Sequence, residues 1–186
     1  MESSYVSRLE KNMDVKKDKI IVYTCITGNY ELPVDHSNME EEIEYICFSD
    51  DISIVPSGWK YLPIQNLDHL DNKDKNRYIK FHPNKFLPKH EYSIYIDFNI
   101  QIVKKLSELV DEIKTTKNSI FMYEHFNRQC AYEEARRVVY EGTAPFLKTK
   151  EQVKRYELDN FPRNFGLFEA NVIVRKNTLD QEELME

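Results

Sequence analysis

The sequence predicts a single α/β domain, a sandwich of helices around a mostly parallel central sheet. Short apolar runs rich in β-branched residues, roughly six of them, alternate with stretches of helical period instead of segregating from them. The length, 186 residues with 41% hydrophobic content, suits one sizeable core.

Residues 1–18 are polar and charged without a sustained period and read as a flexible lead-in, which places the domain at 19–186. Residues 19–26, KIIVYTCI, predict a buried strand that enters a tight loop at Thr27-Gly28-Asn29-Tyr30. YICF at 45–48 is a second strand, stopping at Ser49-Asp50-Asp51, and WKYL at 59–62 a third, closed by Pro63. NKDKNRYIKF at 72–81 suits a helix with Lys73, Arg77 and Lys80 on one side, broken by His82-Pro83 and Leu87-Pro88.

The chain is organised around EYSIYIDFNIQIV at 91–103. From 94 to 102 every even position is apolar, while Tyr95, Asp97, Asn99 and Gln101 fill the odd ones, which predicts a strand with one dry face. Leu106, Leu109, Val110 and Ile113 then recur at helical spacing, 119–123 is a further strand, and 130–141 a helix stopped by Gly142. Thr149 with Gln152 has the spacing of a capping box opening a helix up to about Leu158, 160–164 is a loop, and 166–175 is the last strand, with Glu169 and Asn171 on one face. Thr178 and Gln181 repeat the capping spacing.

Asp97 and Asn99, two residues apart on a strand, form half a cage for a hard divalent cation completed by water and phosphate, or else the polar outer face of a half-buried strand. Thr27 to Tyr30 lie where an open α/β sheet binds ligands, although a plain Gly-Asn turn has the same sequence. Asp50 and Asp51 read equally as acceptors for a base or ribose and as turn residues. Arg77 and Lys80, just before the Asp97 strand, suit a diphosphate. His125, Arg128, Glu133 and Glu134 meet at a strand-to-helix junction and read as an acid–base site or as capping groups.

Several classes are disfavoured. There is no GxGxxG and no GxxxxGK[ST], and the five histidines show no HxxxH or HxxH pairing. Cys25, Cys47 and Cys130 are too scattered for a disulfide framework or metal cluster, and a net charge of −6 argues against nucleic acid as a partner. No apolar run approaches a transmembrane segment and the first residues lack a secretory core, so a soluble, cytoplasmic protein is expected.

The ordered blocks IVYTCITGNYE (21–31), YICFSDD (45–51), NRYIKFHPNKFLP (76–88), YSIYIDFNIQI (92–102), RQCAYEEA (128–135) and GLFEANVIVR (166–175) resemble the TOD/MUCI-type glycosyltransferase-like domain family, from about Lys19 to Arg175. The resemblance implies a GT-A-like, nucleotide-diphospho-sugar transferase fold and a UDP-sugar donor. An Asp-x-Asp-like motif would carry Mn²⁺ or Mg²⁺ against the donor diphosphate. Carried over, Asp97 and Asn99 take the metal place, and Thr27, Gly28 and Tyr30 the nucleotide loop. Asp50 and Asp51 lie near base or ribose, Arg77 and Lys80 near the diphosphate, and Glu169 near a carbohydrate or glycan acceptor. This sequence departs from the family in having Phe98 where Gly is usual, a neutral amide as second ligand, and no Arg-Asp-Gln-type motif after the last strand. Three functions are therefore compatible with the sequence: a metal-assisted glycosyltransferase, a nucleotide-sugar-binding module without turnover, and a metal-dependent hydrolase.

Overall fold

The computed structural model describes residues 18–28, 34 and 38–177. Six strands form one sheet: β1 (Ile20–Ile26), β2 (Glu44–Ser49), β3 (Lys60–Pro63), β4 (Tyr92–Ile96), β5 (Ile120–Glu124) and β6 (Phe168–Lys176). Their order across the sheet is β3-β2-β1-β4-β6-β5. β3, β2, β1 and β4 run parallel, and β6 runs antiparallel to both β4 and β5. The mostly parallel α/β architecture read from the sequence is thus the one observed.

The helices are α1 (Asn72–Phe81), α2 (Pro83–Phe86), α3 (Leu106–Lys114), α4 (Ala131–Tyr140) and α5 (Phe146–Leu158). One face of the sheet meets Leu106, Val110 and Ile113 of α3 together with Trp59. The opposite face meets Ile79 of α1 with Leu67 and Leu87. β1 is therefore covered on both sides, which is why its sequence is almost continuously apolar. Ile21, Val22 and Tyr23 have no exposed surface, and each such side chain contributes about 1.5–3 kcal/mol of burial.

α1 begins under a good cap, since the Asp71 side chain accepts from the Asp74 amide at 2.8 Å. It ends at His82, and Pro83 does more than break it: proline at a first helical position opens the four-residue α2.

Three expectations are corrected. β4 ends at Ile96, and 97–100 is a turn closed by the Ile100 amide on the Asp97 carbonyl at 2.9 Å. The alternating pattern runs past the strand because Phe98 and Ile102 still enter the same core as Ile94 and Ile96. The odd positions are not a wet face either, for Tyr95 is fully buried on the other side of the sheet. Finally, α5 starts at Phe146 after Pro145, and Thr149 lies inside it with its hydroxyl donating to the Pro145 carbonyl at 2.9 Å. Proline outcompeted the capping-box spacing as the start signal because its ring fixes φ for the turn it begins. Gly142, with φ +71, sits just past the α4 C-cap as expected. Tyr30 and the Thr178–Gln181 pattern lie outside the described residues.

Candidate functional site

β2 and β4 flank β1 on opposite sides, so the chain reverses its order across the sheet between β1 and β4. In open α/β sheets a crevice forms beyond the carboxyl ends of strands at such a switch point. Here it is a cavity of about 480 Å³ lined by Thr27 and Gly28 after β1, Asp97 after β4, and Lys73, Asn76, Arg77 and Lys80 of α1.

α1 is stitched to β1 by three hydrogen bonds. Thr27 Oγ1 donates to the Asn72 carbonyl (2.8 Å), Asn76 Nδ2 to the Cys25 carbonyl (2.6 Å), and the Tyr23 hydroxyl to the Lys80 carbonyl (2.8 Å). Residues 23, 25 and 27 share one side of a strand, and 72, 76 and 80 share one face of a helix, so the two periods mesh. The neighbouring face of α1 then turns Lys73 and Arg77 toward the same cavity.

The third stitch is backed by Arg175 of β6. Its guanidinium is 2% exposed and donates to the Tyr23 hydroxyl at 3.0 Å and to the Lys80 carbonyl at 3.1 Å. Burial raises the Tyr23 pKa to about 12 despite the nearby Arg175, so the phenol stays a neutral donor.

Lys80 then reaches Asp97. Its ammonium is 3.0 Å from Oδ1 and 4.6 Å from the centroid of the Tyr95 ring. The Tyr95 hydroxyl donates to the same Oδ1 at 2.8 Å. Burial first, and the Asp97 charge second, push the Tyr95 pKa far up, which keeps this donor protonated. The Lys80 side chain is 11% exposed against 32% for Asp97, so the lysine is no solvated surface cation. Arg77 differs: it is 57% exposed, and its nearest carboxylate, Asp74, is 3.7 Å away.

At the mouth, Gly28 has φ +68, and a Cβ there would stand 2.2 Å from Asn72 Nδ2. The glycine therefore supplies both the left-handed backbone and the close approach to α1. Its amide donates to the Asp50 carboxylate at 2.9 and 3.2 Å. Asp51 caps a short 3-10 turn at Ile52–Ile54, accepting from the Ser53 amide at 2.8 Å.

Asn99 is exposed in the turn after β4 and is not among the side chains lining the cavity with Asp97. Glu169 lies on β6, where Asn171 Nδ2 donates to it at 2.9 Å, and the Asn171 carbonyl accepts the Asp97 amide at 2.8 Å. This links Glu169 to the Asp97 end of the sheet without placing it in the cavity. His125 serves its own turn, its Nδ1 accepting from the amides of Asn127 (3.1 Å) and Arg128 (3.2 Å). Arg128 pairs with Glu134, and Glu133 is exposed. That group is capping and pairing chemistry.

The three cysteines are buried and free. Burial pushes the thiols of Cys25 and Cys47 up, the latter to about 12, so neither offers a thiolate. Sequence reasoning missed Asn72, Asn76, Tyr23, Tyr95 and Arg175. The spacing of four between Asn72, Asn76 and Lys80 was the available signal for the first two.

The resemblance implies a divalent cation beside the Asp97 oxygens. Among the described residues no three His, Cys, Asp or Glu side chains come together as a metal site. Asp97 offers one carboxylate, whose Oδ1 already holds an ammonium and a phenol. Hard oxygen chemistry fits, but only for a cation that brings most of its ligands as phosphate and water.

The order and direction of the strands, with the cavity at their switch point, are those of a GT-A glycosyltransferase fold. Galactosyltransferase LgtC in complex with donor and acceptor sugar analogs matches with a TM-score of 0.51 at 12% identity, over 84% of this chain and 57% of that one. Mouse xyloside xylosyltransferase 1 in its apo form matches at 0.52 and 11%, over 91% and 72%. An active-site mutant of LgtC matches at 0.50 and 12%, over 90% and 60%. The chain thus spans less than two thirds of the length of LgtC. The chain belongs to the TOD1/MUCI70 glycosyltransferase-like domain family, whose sequence model matches residues 5–181. No curated protein matches it.

Proposed function

We propose that this domain binds a nucleoside-diphosphate sugar, with UDP as the nucleotide, and transfers the sugar to a carbohydrate acceptor. The observation that carries this reading is the joint placement of Lys73, Arg77, Lys80 and Asp97 in one cavity at the switch point of the sheet. Three cations from one helix suit a diphosphate, and the glycine at the mouth lets α1 pack close beside β1.

In the reaction, the bond between the anomeric carbon and the diphosphate oxygen breaks as the acceptor oxygen bonds to that carbon. The charge that develops on the leaving oxygen is what Lys80 and Arg77 would stabilise from fixed positions. Tyr95 and Asp97 hold the Lys80 ammonium in place. The acceptor oxygen gives up its proton as its bond to the anomeric carbon forms, and Glu169 is the carboxylate we assign to receive it. Asp97 would be the protein ligand to Mn²⁺ or Mg²⁺ brought with the donor, which would supply further positive charge against the diphosphate.

A nucleotide-sugar-binding module without turnover is the second reading. It is favoured by the single carboxylate at Asp97 and by Asn99 lying outside the cavity lining. The experiment is a thermal-shift screen of nucleoside diphosphates and their sugars, with and without Mn²⁺, followed by assay of UDP release with glycan acceptors. UDP and a UDP-sugar are expected to raise the melting temperature more than uridine does. A protein that ignores all of them has lost the donor reading. Binding without acceptor-dependent UDP release selects the module.

A further inference from the structure

Lys73 and Arg77 line a second cavity as well as the first. It holds about 460 Å³ and is lined by α4, the loop after it, and α5. That volume falls among small-molecule sites, roughly 300–1,000 Å³. Its chemistry differs from that of the Asp97 cavity. Apart from the two shared cations, its polar lining includes Glu134, Thr143, Gln152 and Tyr156, over a floor that includes Ala131 and Ala135.

These polar groups are already oriented. Lys73 Nζ donates to the Thr143 carbonyl at 3.1 Å, which ties α1 to the loop after α4. Gln152 Nε2 donates to the Tyr156 hydroxyl at 2.5 Å, so that phenol keeps its own proton to donate and Gln152 keeps its amide oxygen to accept. Glu134 Oε2 is paired with Arg128, which neutralises the one carboxylate and leaves its other oxygen as an acceptor. Beyond the two cations on the shared wall, the set mixes neutral donors and acceptors beside an aromatic ring and an apolar floor. Such a set offers partners for the vicinal hydroxyls and the apolar C–H face of a pyranose ring.

We propose that this second cavity is the acceptor subsite, which takes a neutral pyranoside. The proposal rests on the donor reading above. A diphosphate held by Lys80 and Arg77 would lie against the wall that Arg77 and Lys73 share between the two cavities, with the anomeric carbon of its sugar bonded to its outer oxygen. A nucleophile must approach that carbon from the adjoining space, and the second cavity adjoins across that wall. Leu167, two residues before Glu169 on the approach to β6, also lines it, which brings the β6 end of the acceptor reading alongside.

The test is saturation-transfer NMR with a panel of methyl pyranosides of glucose, galactose, xylose and mannose, run with and without saturating UDP. At least one glycoside is expected to bind, saturably, to the wild-type chain. Ala135→Trp, which fills the cavity, should weaken it about tenfold, equivalent to about 1.4 kcal/mol. Gln152→Ala, a change at an exposed side chain, should weaken the same glycoside while UDP affinity stays near wild type. Absence of binding by every glycoside in both conditions overturns the proposal, as does wild-type binding in Gln152→Ala together with Ala135→Trp. Failure of UDP to bind is a separate outcome that removes the donor reading, while the arm without UDP still judges the cavity.

Discussion

Lys80 Nζ and the Tyr95 hydroxyl converge on one oxygen of Asp97, at 3.0 and 2.8 Å. The carboxylate is thereby held by two donors that come from the sheet and from α1, and the ammonium is aimed across the end of β4. Since Lys80 and Arg175 are both largely buried, this corner of the domain carries two cations that the core alone does not require. Buried charge is costly unless it is well bonded, so each bond around Lys80 has a measurable consequence.

Tyr95→Phe removes one donor to Asp97 and leaves the ring contacts in place. Loss of a hydrogen bond to a charged group in a buried setting should cost about 1.5–3 kcal/mol. Urea unfolding, with an unchanged dependence on denaturant, reads this directly, and a variant as stable as wild type contradicts it.

Arg175→Met tests the support beneath α1. Two hydrogen bonds to the Tyr23 hydroxyl and the Lys80 carbonyl are lost, while a similar apolar volume remains. The expected loss is about 1–3 kcal/mol, with UDP affinity reduced although Arg175 is not part of the cavity lining. Unaltered UDP affinity would separate Arg175 from the positioning of Lys80.

Gly28→Ala should impair the loop after β1. The left-handed φ costs about 1 kcal/mol or more for alanine, and Asn72 must move from a Cβ that would otherwise lie 2.2 Å from its Nδ2. Calorimetry should find UDP binding weakened about tenfold. Wild-type affinity would show that the packing of Gly28 on Asn72 does not shape the site.

His90 makes stability depend on pH. Its ring is 5% exposed, and Nδ1 donates to the Pro88 carbonyl at 2.8 Å. Burial first, and the nearby Lys19 as well, hold its pKa below the usual value, against the opposing Pro88 bond and Glu91. As pH falls below about 6.5, the unfolded chain therefore takes up this proton before the folded one does. The unfolded state then binds more protons, so stability declines with falling pH through that window and is regained above it. Melting temperatures measured from pH 7.5 to 5 should fall, and His90→Gln should flatten that fall. Equal slopes in both proteins would assign the effect elsewhere.

Much of the architecture was legible in the sequence because the strands are short apolar runs bounded by Gly, Pro and Asp, and the helices carry clear apolar periods. Gly142 ended α4 where its backbone freedom is needed. The candidate site was legible where one face of one element carries it, as with Lys73, Arg77 and Lys80. It was not legible where alternation outlives the strand: Phe98 and Ile102 keep the pattern of β4 going through a turn, which took Asn99 off the strand. Nor could it show that Tyr95 occupies a second dry face, since a tyrosine at an odd position looks polar until a helix is placed over it. Arg175 was hidden for the same reason, because pairing between β6 and β4 has no signature in either segment alone.

The most direct measurement is calorimetric titration of UDP and uridine into wild type and Lys80→Met, in chelator and in Mn²⁺. Wild type should bind UDP at least about tenfold more tightly than uridine, and Mn²⁺ alone should bind weakly. Lys80→Met should lose most of that margin for UDP and leave uridine unchanged, since the contact it removes is to phosphate. UDP affinity that is equal in wild type and Lys80→Met under both conditions, or a wild-type chain that binds no UDP, would contradict the account.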